Sequence, residues 1–267
     1  MTLEMGEAFA SLKCDGRTWA VASIHGEAGR LRAINKAIAE HFQPGDNLVY
    51  LGNMIGRGPQ VIETVDELLL MRRRLMADGV DSSRIVFLRG GQEEMWQKLL
   101  TIQFCADAKG VLAWMLGHGI GPTLEAYGSS PAEGMAAVQE GVMGLTHWTN
   151  ALRFNMRDYD GHTALYSSLK RAALLDNSRL IFVNAGLDPA RSLAEQEDCF
   201  WWGGHDFDAI NAPCCGFDMV VRGYDSKKGG FRFTSHTATL DNRCGAGGPL
   251  EAVCFNADGT IAERFEA

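Results

Sequence analysis

The side chains able to do chemistry in this sequence come in small, separated groups. Seven cysteines are present, at positions 14, 105, 199, 214, 215, 244 and 254, and none forms a C-x-x-C pair. That spacing does not support a zinc site or a disulfide framework. It reads as reduced thiols in a cytoplasmic protein, the adjacent Cys214 and Cys215 being the one pair that could close a strained vicinal bond. The string Cys244-Gly245-Ala246-Gly247-Gly248 precedes no helical pattern, so it reads as a tight strand connection and not as a dinucleotide loop. Arg72, Arg73 and Arg74 fall within a helical pattern and read as a solvated face. Trp201-Trp202 reads as packing rather than a ligand platform.

What must position any chemistry is a series of strand ends. Apolar runs Trp19–Ile24, Leu48–Leu51 and Ile85–Leu88 each end in a glycine-containing loop. Between them, Leu31, Ile34, Ile38 and Phe42, then Val61, Val65, Leu68 and Leu69, recur at helical spacing. Strand signals return at Leu180–Val183 before Asn184-Ala185-Gly186, and at Met219–Val221 before Gly223-Tyr224-Asp225. Thr237–Leu240 and Leu250–Phe255, followed by the turn Asn256–Gly259, read as hairpin structure. In open α/β sheets the chemistry lies in the crevice beyond the strand C-termini, where all five loops fall. Residues of about 92–178 carry helical patches and glycine-rich loops without that rhythm, and read as a helical cap inserted into one domain spanning 1–267.

Composition narrows the classes. The 267 residues include 46% hydrophobic and 22% charged side chains, an ordinary globular balance. Net charge is −8, against the basic face needed to track a phosphate backbone, so nucleic acid is not expected as a partner. No run of about 18 apolar residues occurs, and Met1–Ser11 has no signal-peptide core. No membrane partner is expected.

Taken in order, the loops resemble those of the calcineurin-like metallophosphoesterases, and in particular the bacterial branch of the serine/threonine phosphoprotein phosphatases. That family carries G-D-x-H-G, G-D-x-x-D-R-G, R-G-N-H-E, V-H-A-G and G-H-T. Here the same places read Ala22-Ser23-Ile24-His25-Gly26, Gly52-Asn53-Met54-Ile55-Gly56-Arg57-Gly58, Arg89-Gly90-Gly91-Gln92-Glu93, Val183-Asn184-Ala185-Gly186 and Gly223-Tyr224-Asp225. The resemblance spans roughly residues 18–262. It implies an α/β, four-layer metallophosphoesterase-like sandwich, with two mixed β-sheets flanked by helices and a helical cap.

The family holds two divalent metals such as manganese, with one carboxylate bridging both ions. By the resemblance, the metal-ligand positions here are Ser23, His25, Asn53, Gly91, Asn184 and Tyr224. Only His25 keeps the family's residue. The position of the general acid is Gln92, an amide that cannot protonate a leaving alkoxide, and the Asp that would orient it is Gly56. The expectation is a pseudophosphatase: no catalytic residues, no cofactor, and a binding or regulatory role toward a protein or a phosphorylated group. Arg57 and Arg89 stand at the family's crevice arginines, and with His25 they form the expected anion site, since guanidinium clamps phosphate without a metal. The competing reading pairs each arginine with a nearby carboxylate such as Glu93 or Glu94. A rival function is an active metallophosphoesterase with a rebuilt or one-metal site, assembled for example from His25, His205 and Asp206, with Asp225 or Asp241 nearby.

Overall fold

The computed structural model describes residues 8–177, 179–204 and 207–267. Two mixed sheets form the frame. The five-stranded sheet contains β2 (Thr18–Val21), β3 (Asn47–Tyr50), β4 (Ile85–Phe87), β10 (Glu251–Phe255) and β11 (Ile261–Glu266), in the order β11-β10-β2-β3-β4. Strands β2, β3 and β4 run parallel, with Trp19 level with Leu48 and Val49 level with Val86. Every residue of these three strands is buried, which explains why each reads as a continuous apolar run instead of an alternation.

The crossovers are supplied by α1 (Ala28–His41) and α2 (Val61–Ala77). Helix α1 buries Ala28, Leu31, Ile34, Asn35 and Ile38. Helix α2 buries Val61, Val65, Leu68, Met71 and Leu75. Both are one-face patterns of period 3.6. The chain leaves α1 at Phe42, in extended conformation, two residues before Pro44.

The six-stranded sheet contains β1 (Phe9–Leu12), β5 (Ala172–Leu175), β6 (Leu180–Val183), β7 (Met219–Arg222), β8 (Arg232–Phe233) and β9 (Thr237–Thr239), in the order β1-β5-β6-β7-β9-β8. Strands β6 and β7 are parallel, with Phe182 level with Val221. The ring of Phe182 meets that of Phe255 edge-to-face at 6.0 Å, so the two sheets touch through their apolar faces.

The hairpin expected at the end of the chain is divided between the sheets. Glu251–Phe255 pairs antiparallel with Ile261–Glu266 across the Asn256–Gly259 turn, but Thr237–Thr239 belongs to the other sheet beside β7. Strands β1 and β5 pair in parallel at an edge. Each is only four residues long and carries no flanking glycine or proline signal, so periodicity alone does not expose them.

The helical segment expected over about 92–178 begins with α3 (Gly91–Leu99) and continues through α4 (Ala108–Gly117), α5 (Gly121–Ala126), α6 (Pro131–Gln139), α7 (Gly141–Arg157) and α8 (His162–Ser168). It ends at Ser168, because Ala172–Leu175 is already strand β5. Its helix starts follow local rules: Asp107 accepts the Gly110 amide, while Ser130 accepts that of Glu133 with Pro131 at the first turn. Trp96 of α3 stacks on Tyr127 at 5.2 Å. Leu112, Leu124, Leu145 and Leu152 join the same apolar cluster as Trp19 and Leu48. This region is therefore packed into the sheet's core.

Candidate functional site

The five loops converge as the strand directions require. The Ser23 amide donates to the Gly223 carbonyl at 3.1 Å, joining the end of β2 to the end of β7. The amides of Ile24 and His25 both donate to the Asn53 carbonyl, at 3.0 and 2.7 Å. Of the six described non-glycine residues at positive φ, four lie here: His25 at 56°, Asn53 at 50°, Arg57 at 59° and Arg243 at 59°. Left-handed backbone costs an L-residue on the order of 1 kcal/mol, and such strain gathers at functional clefts.

A closed polar network fills the centre. The Asn53 side-chain amide donates to Ser23 Oγ and to Asn184 Oδ1, both at 3.3 Å. Its Oδ1 accepts the Gln92 amide at 2.9 Å. Asn184 Nδ2 in turn donates to the Leu51 carbonyl at 2.6 Å. Ser23, Asn53, Gln92 and Asn184 are all buried. Beneath them Glu93 accepts the amides of Gly90, Asn53, Met54 and Ile55, at 2.8, 2.9, 2.8 and 3.2 Å. Burial pushes the Glu93 carboxyl upward, and those four amides pull it back. This glutamate fixes the second loop onto the start of α3.

Two glycines are explained by what occupies the space beside them. A Cβ on Gly91 would lie 2.7 Å from Trp202 Cζ3, because the indole lies against the backbone there. A Cβ on Gly56 would overlap the side-chain amide of Gln92, and its φ of +78° also favours glycine. Gln92 reaches past Gly56 and donates to the His118 carbonyl at 2.8 Å. The turn between α4 and α5 is thereby tied to the crevice, a tie repeated by the Arg57 amide donating to the Gly119 carbonyl at 2.8 Å.

The expected anion residues separate into two groups. His25 and Arg57 line a cavity of about 150 Å³ together with Tyr224, Ser226, Asp241 and Arg243. Arg57 is exposed and donates to Tyr224 Oη at 3.3 Å. Arg89 is on the wall of neither this cavity nor its neighbour. Its Nη1 pairs with Glu94 at 3.1 Å, and its guanidinium lies over Trp201 at 5.9 Å. The competing reading of Arg89 as a partner of Glu94 is thus the arrangement present. Arg243 joins Arg57 unannounced by the sequence; the only cue was its place between Asp241 and the glycine string.

The charges nearby are already engaged. Asp225 pairs with Arg222 at 2.9 Å and with Arg232. Asp241 accepts the amides of Asp225 and Arg243, at 2.9 and 2.8 Å. His25 is 3% exposed; burial, and then the Arg57 charge, depress its imidazole to about 3. It is therefore neutral at neutral pH and adds no positive charge to the cavity. Burial raises the Tyr224 hydroxyl, with Arg57 pulling the other way. Among the described residues no group of three or more His, Cys, Asp and Glu side chains could hold a metal ion. The alternative set using His205 and Asp206 lies outside the described residues.

The neighbouring cavity, of about 190 Å³, is lined by His25, Asn53, Arg57, Gly91 and Gln92, and also by Met95, Trp114, His118, Trp201, Trp202, Tyr224 and Ser226. Trp114 and His118, from the end of α4, were not singled out as site residues by sequence. Trp202, at the end of α9 (Cys199–Trp202), departs from its expected packing role in part: one side packs on Gly91 while the ring remains 39% exposed.

Several solved phosphatase structures superpose on this chain. A protein assigned as a diadenosine tetraphosphatase is 19% identical and superposes with a TM-score of 0.56, over 98% of each chain. The fold is that of a calcineurin-like metallophosphoesterase. A serine/threonine phosphatase of Saccharomyces cerevisiae, 14% identical, aligns at 0.54 over all of this chain and 86% of its own. A cold-active protein tyrosine phosphatase, 11% identical, aligns at 0.50 over all of this chain and 83% of its own. No family model and no curated protein matches the sequence. The chain therefore has the metallophosphoesterase-like arrangement of two mixed sheets flanked by helices. Among the described residues no helix is long and apolar enough to cross a membrane.

Proposed function

We propose that this chain binds without hydrolysing: a cytoplasmic, phosphatase-like binding or regulatory module whose crevice takes a phosphate-like anion, presented free or on a protein. The observation that carries this reading is the hydrogen-bond network centred on Asn53. Two divalent ions about 3.5–4 Å apart need hard, largely anionic donors and a bridging carboxylate. The residues present do not fit that requirement. Ser23, Asn53 and Asn184 are neutral and spend their polar atoms on one another or on backbone. Gly91 offers no donor, and the Trp202 indole covers it. Without a metal-activated water, and with an amide at Gln92, neither the nucleophile nor the general acid of the family's chemistry is supplied.

Anion binding needs neither. Arg57 shares its cavity with Arg243, the Tyr224 hydroxyl and the neutral His25 ring, and with Asp225 and Asp241, whose carboxylates are taken up by Arg222, Arg232 and backbone amides. Hydrogen bonds to charged groups contribute about 1.5–3 kcal/mol each, so two arginines give affinity on the order of millimolar. Such binding weakens as salt screens it.

The test is a pair of measurements on the purified chain. With added manganese it hydrolyses neither an aryl phosphate nor a phosphopeptide above background, and at low salt inorganic phosphate raises its melting temperature in wild type but not in Arg57→Ala. Turnover of about 1 per second or faster that His25→Ala abolishes would refute the non-hydrolytic reading. A phosphate response unchanged by Arg57→Ala would refute the anion site.

A further inference from the structure

Beside the anion cavity stands a wall of aromatic surface that packing does not account for. Trp114 and Trp202 are 45% and 39% exposed, yet both rings are held from behind. Trp114 stacks on His118 with centroids 4.1 Å apart, and Trp202 lies on the Gly91 backbone. The two indoles meet at 73° with centroids 5.5 Å apart, forming a fixed corner. Large aromatic faces that are immobilised but left in water are a costly way to build a surface, and a common way to build a recognition site.

The same cavity joins those rings to polar walls: His25, Asn53, Arg57, Gln92, Tyr224 and Ser226 line it together with the indoles. An aromatic corner that opens onto a few polar groups suits a ligand with one apolar face and one polar end.

We propose that the Trp114–Trp202 corner is a ring-binding subsite, and that the ligand of this crevice is a phosphate joined directly to a planar ring, an aryl phosphate. The inference rests on the anion site proposed above and specifies what the anion is attached to. The two cavities share His25, Arg57, Tyr224 and Ser226, so ring and phosphate are immediate neighbours. Cavities that share four wall residues fit a ring joined to the phosphate through its ester oxygen more closely than a ring set apart by a sugar. A cationic ligand is disfavoured, because Arg57 stands on the wall of both cavities. Stacking on an aromatic platform is expected to tighten binding about tenfold, equivalent to about 1.4 kcal/mol.

The experiment is a titration of wild type, at low salt, with inorganic phosphate, glycerol phosphate, phenyl phosphate and adenosine monophosphate, followed by calorimetry and by tryptophan fluorescence. Phenyl phosphate is expected to bind about tenfold more tightly than phosphate or glycerol phosphate, and to perturb the fluorescence. In Trp114→Ala that tenfold preference disappears; Trp114→Phe, which keeps a ring and the fold, retains most of it. Phenyl phosphate binding no more tightly than glycerol phosphate, or a preference unchanged in Trp114→Ala, overturns the ring subsite while phosphate binding stands. Adenosine monophosphate binding more tightly than phenyl phosphate overturns the direct attachment of ring to phosphate. If none of the four binds, the anion site and this subsite fall together.

Discussion

The contact between Gly91 and Trp202 can be tested by restoring a side chain at position 91. Gly91 opens α3 with ordinary right-handed backbone, so alanine is conformationally acceptable there. Taken alone, Gly91→Ala would stabilise the chain by about 0.4–1 kcal/mol through the unfolded state. The new methyl would meet Cζ3, Cε3 and Cη2 of Trp202 at 2.7, 3.1 and 3.2 Å. Overpacking of that kind costs about 1–3 kcal/mol, less whatever the half-exposed ring recovers by swinging outward. The expected net effect in wild type is a loss of about 1 kcal/mol. In a Trp202→Ala background the clash is gone, and the same change becomes stabilising by about 0.4–1 kcal/mol. The double-mutant cycle, run by urea denaturation with m-values compared, should therefore give a coupling of about 1–2 kcal/mol. A coupling below about 0.5 kcal/mol, the scale of ordinary additivity, would mean that the indole does not hold the space beside residue 91. The explanation of that glycine would then fail.

Three further changes probe the rest of the crevice. Gly56→Ala should cost more than about 1 kcal/mol, since it adds a side chain at φ +78° against Gln92; Gln92→Ala should relieve part of that loss, and thermal melts of the single and double variants decide it. Asn53→Asp removes the donors to Ser23 and Asn184 and buries a carboxylate facing the Asn184 carbonyl oxygen, so it should destabilise by about 1–3 kcal/mol without creating manganese-dependent hydrolysis; a stable, active variant would contradict the account. The third concerns pH. Folding lowers the His25 imidazole to about 3 from the usual value near 6.5, so below about 6.5 the unfolded chain takes up a proton that the folded chain refuses. The His25 contribution is thus fully present above that range and is lost as pH falls toward 3. At about pH 4.5 the loss is on the order of 2–3 kcal/mol, and the stability gap between wild type and His25→Gln should change by about that much between pH 7 and 4.5. A gap independent of pH would show that His25 is not held neutral.

Much of the frame was legible because parallel strands buried on both faces announce themselves as apolar runs ending in glycine loops, as Trp19–Val21 and Leu48–Tyr50 do. The meeting of Ser23, Asn53, Gln92 and Asn184 followed from the order of those loops. What the sequence could not display were contacts made by long side chains across the crevice. Arg89 choosing Glu94, and Gln92 reaching the His118 carbonyl, depend on rotamers and on the approach of the α4–α5 turn. Trp114 lies in the stretch Ala108–Gly117, which is apolar nearly all round, so nothing in its spacing singles the residue out, and its place beside Trp202 is set by chain segments far apart in the sequence. Thr237–Thr239 was drawn into the wrong hairpin because three apolar-alternating residues carry too little register information to say which sheet they join.

The central claim is that neutral, mutually hydrogen-bonded side chains stand where two cations would need anionic ligands. It is tested most directly by elemental analysis of the full chain, purified without chelator, equilibrated with manganese and freed of excess metal. The account predicts well under one divalent ion per chain, unchanged in Asn53→Ala. Two ions per chain, lost in His25→Ala, would contradict it.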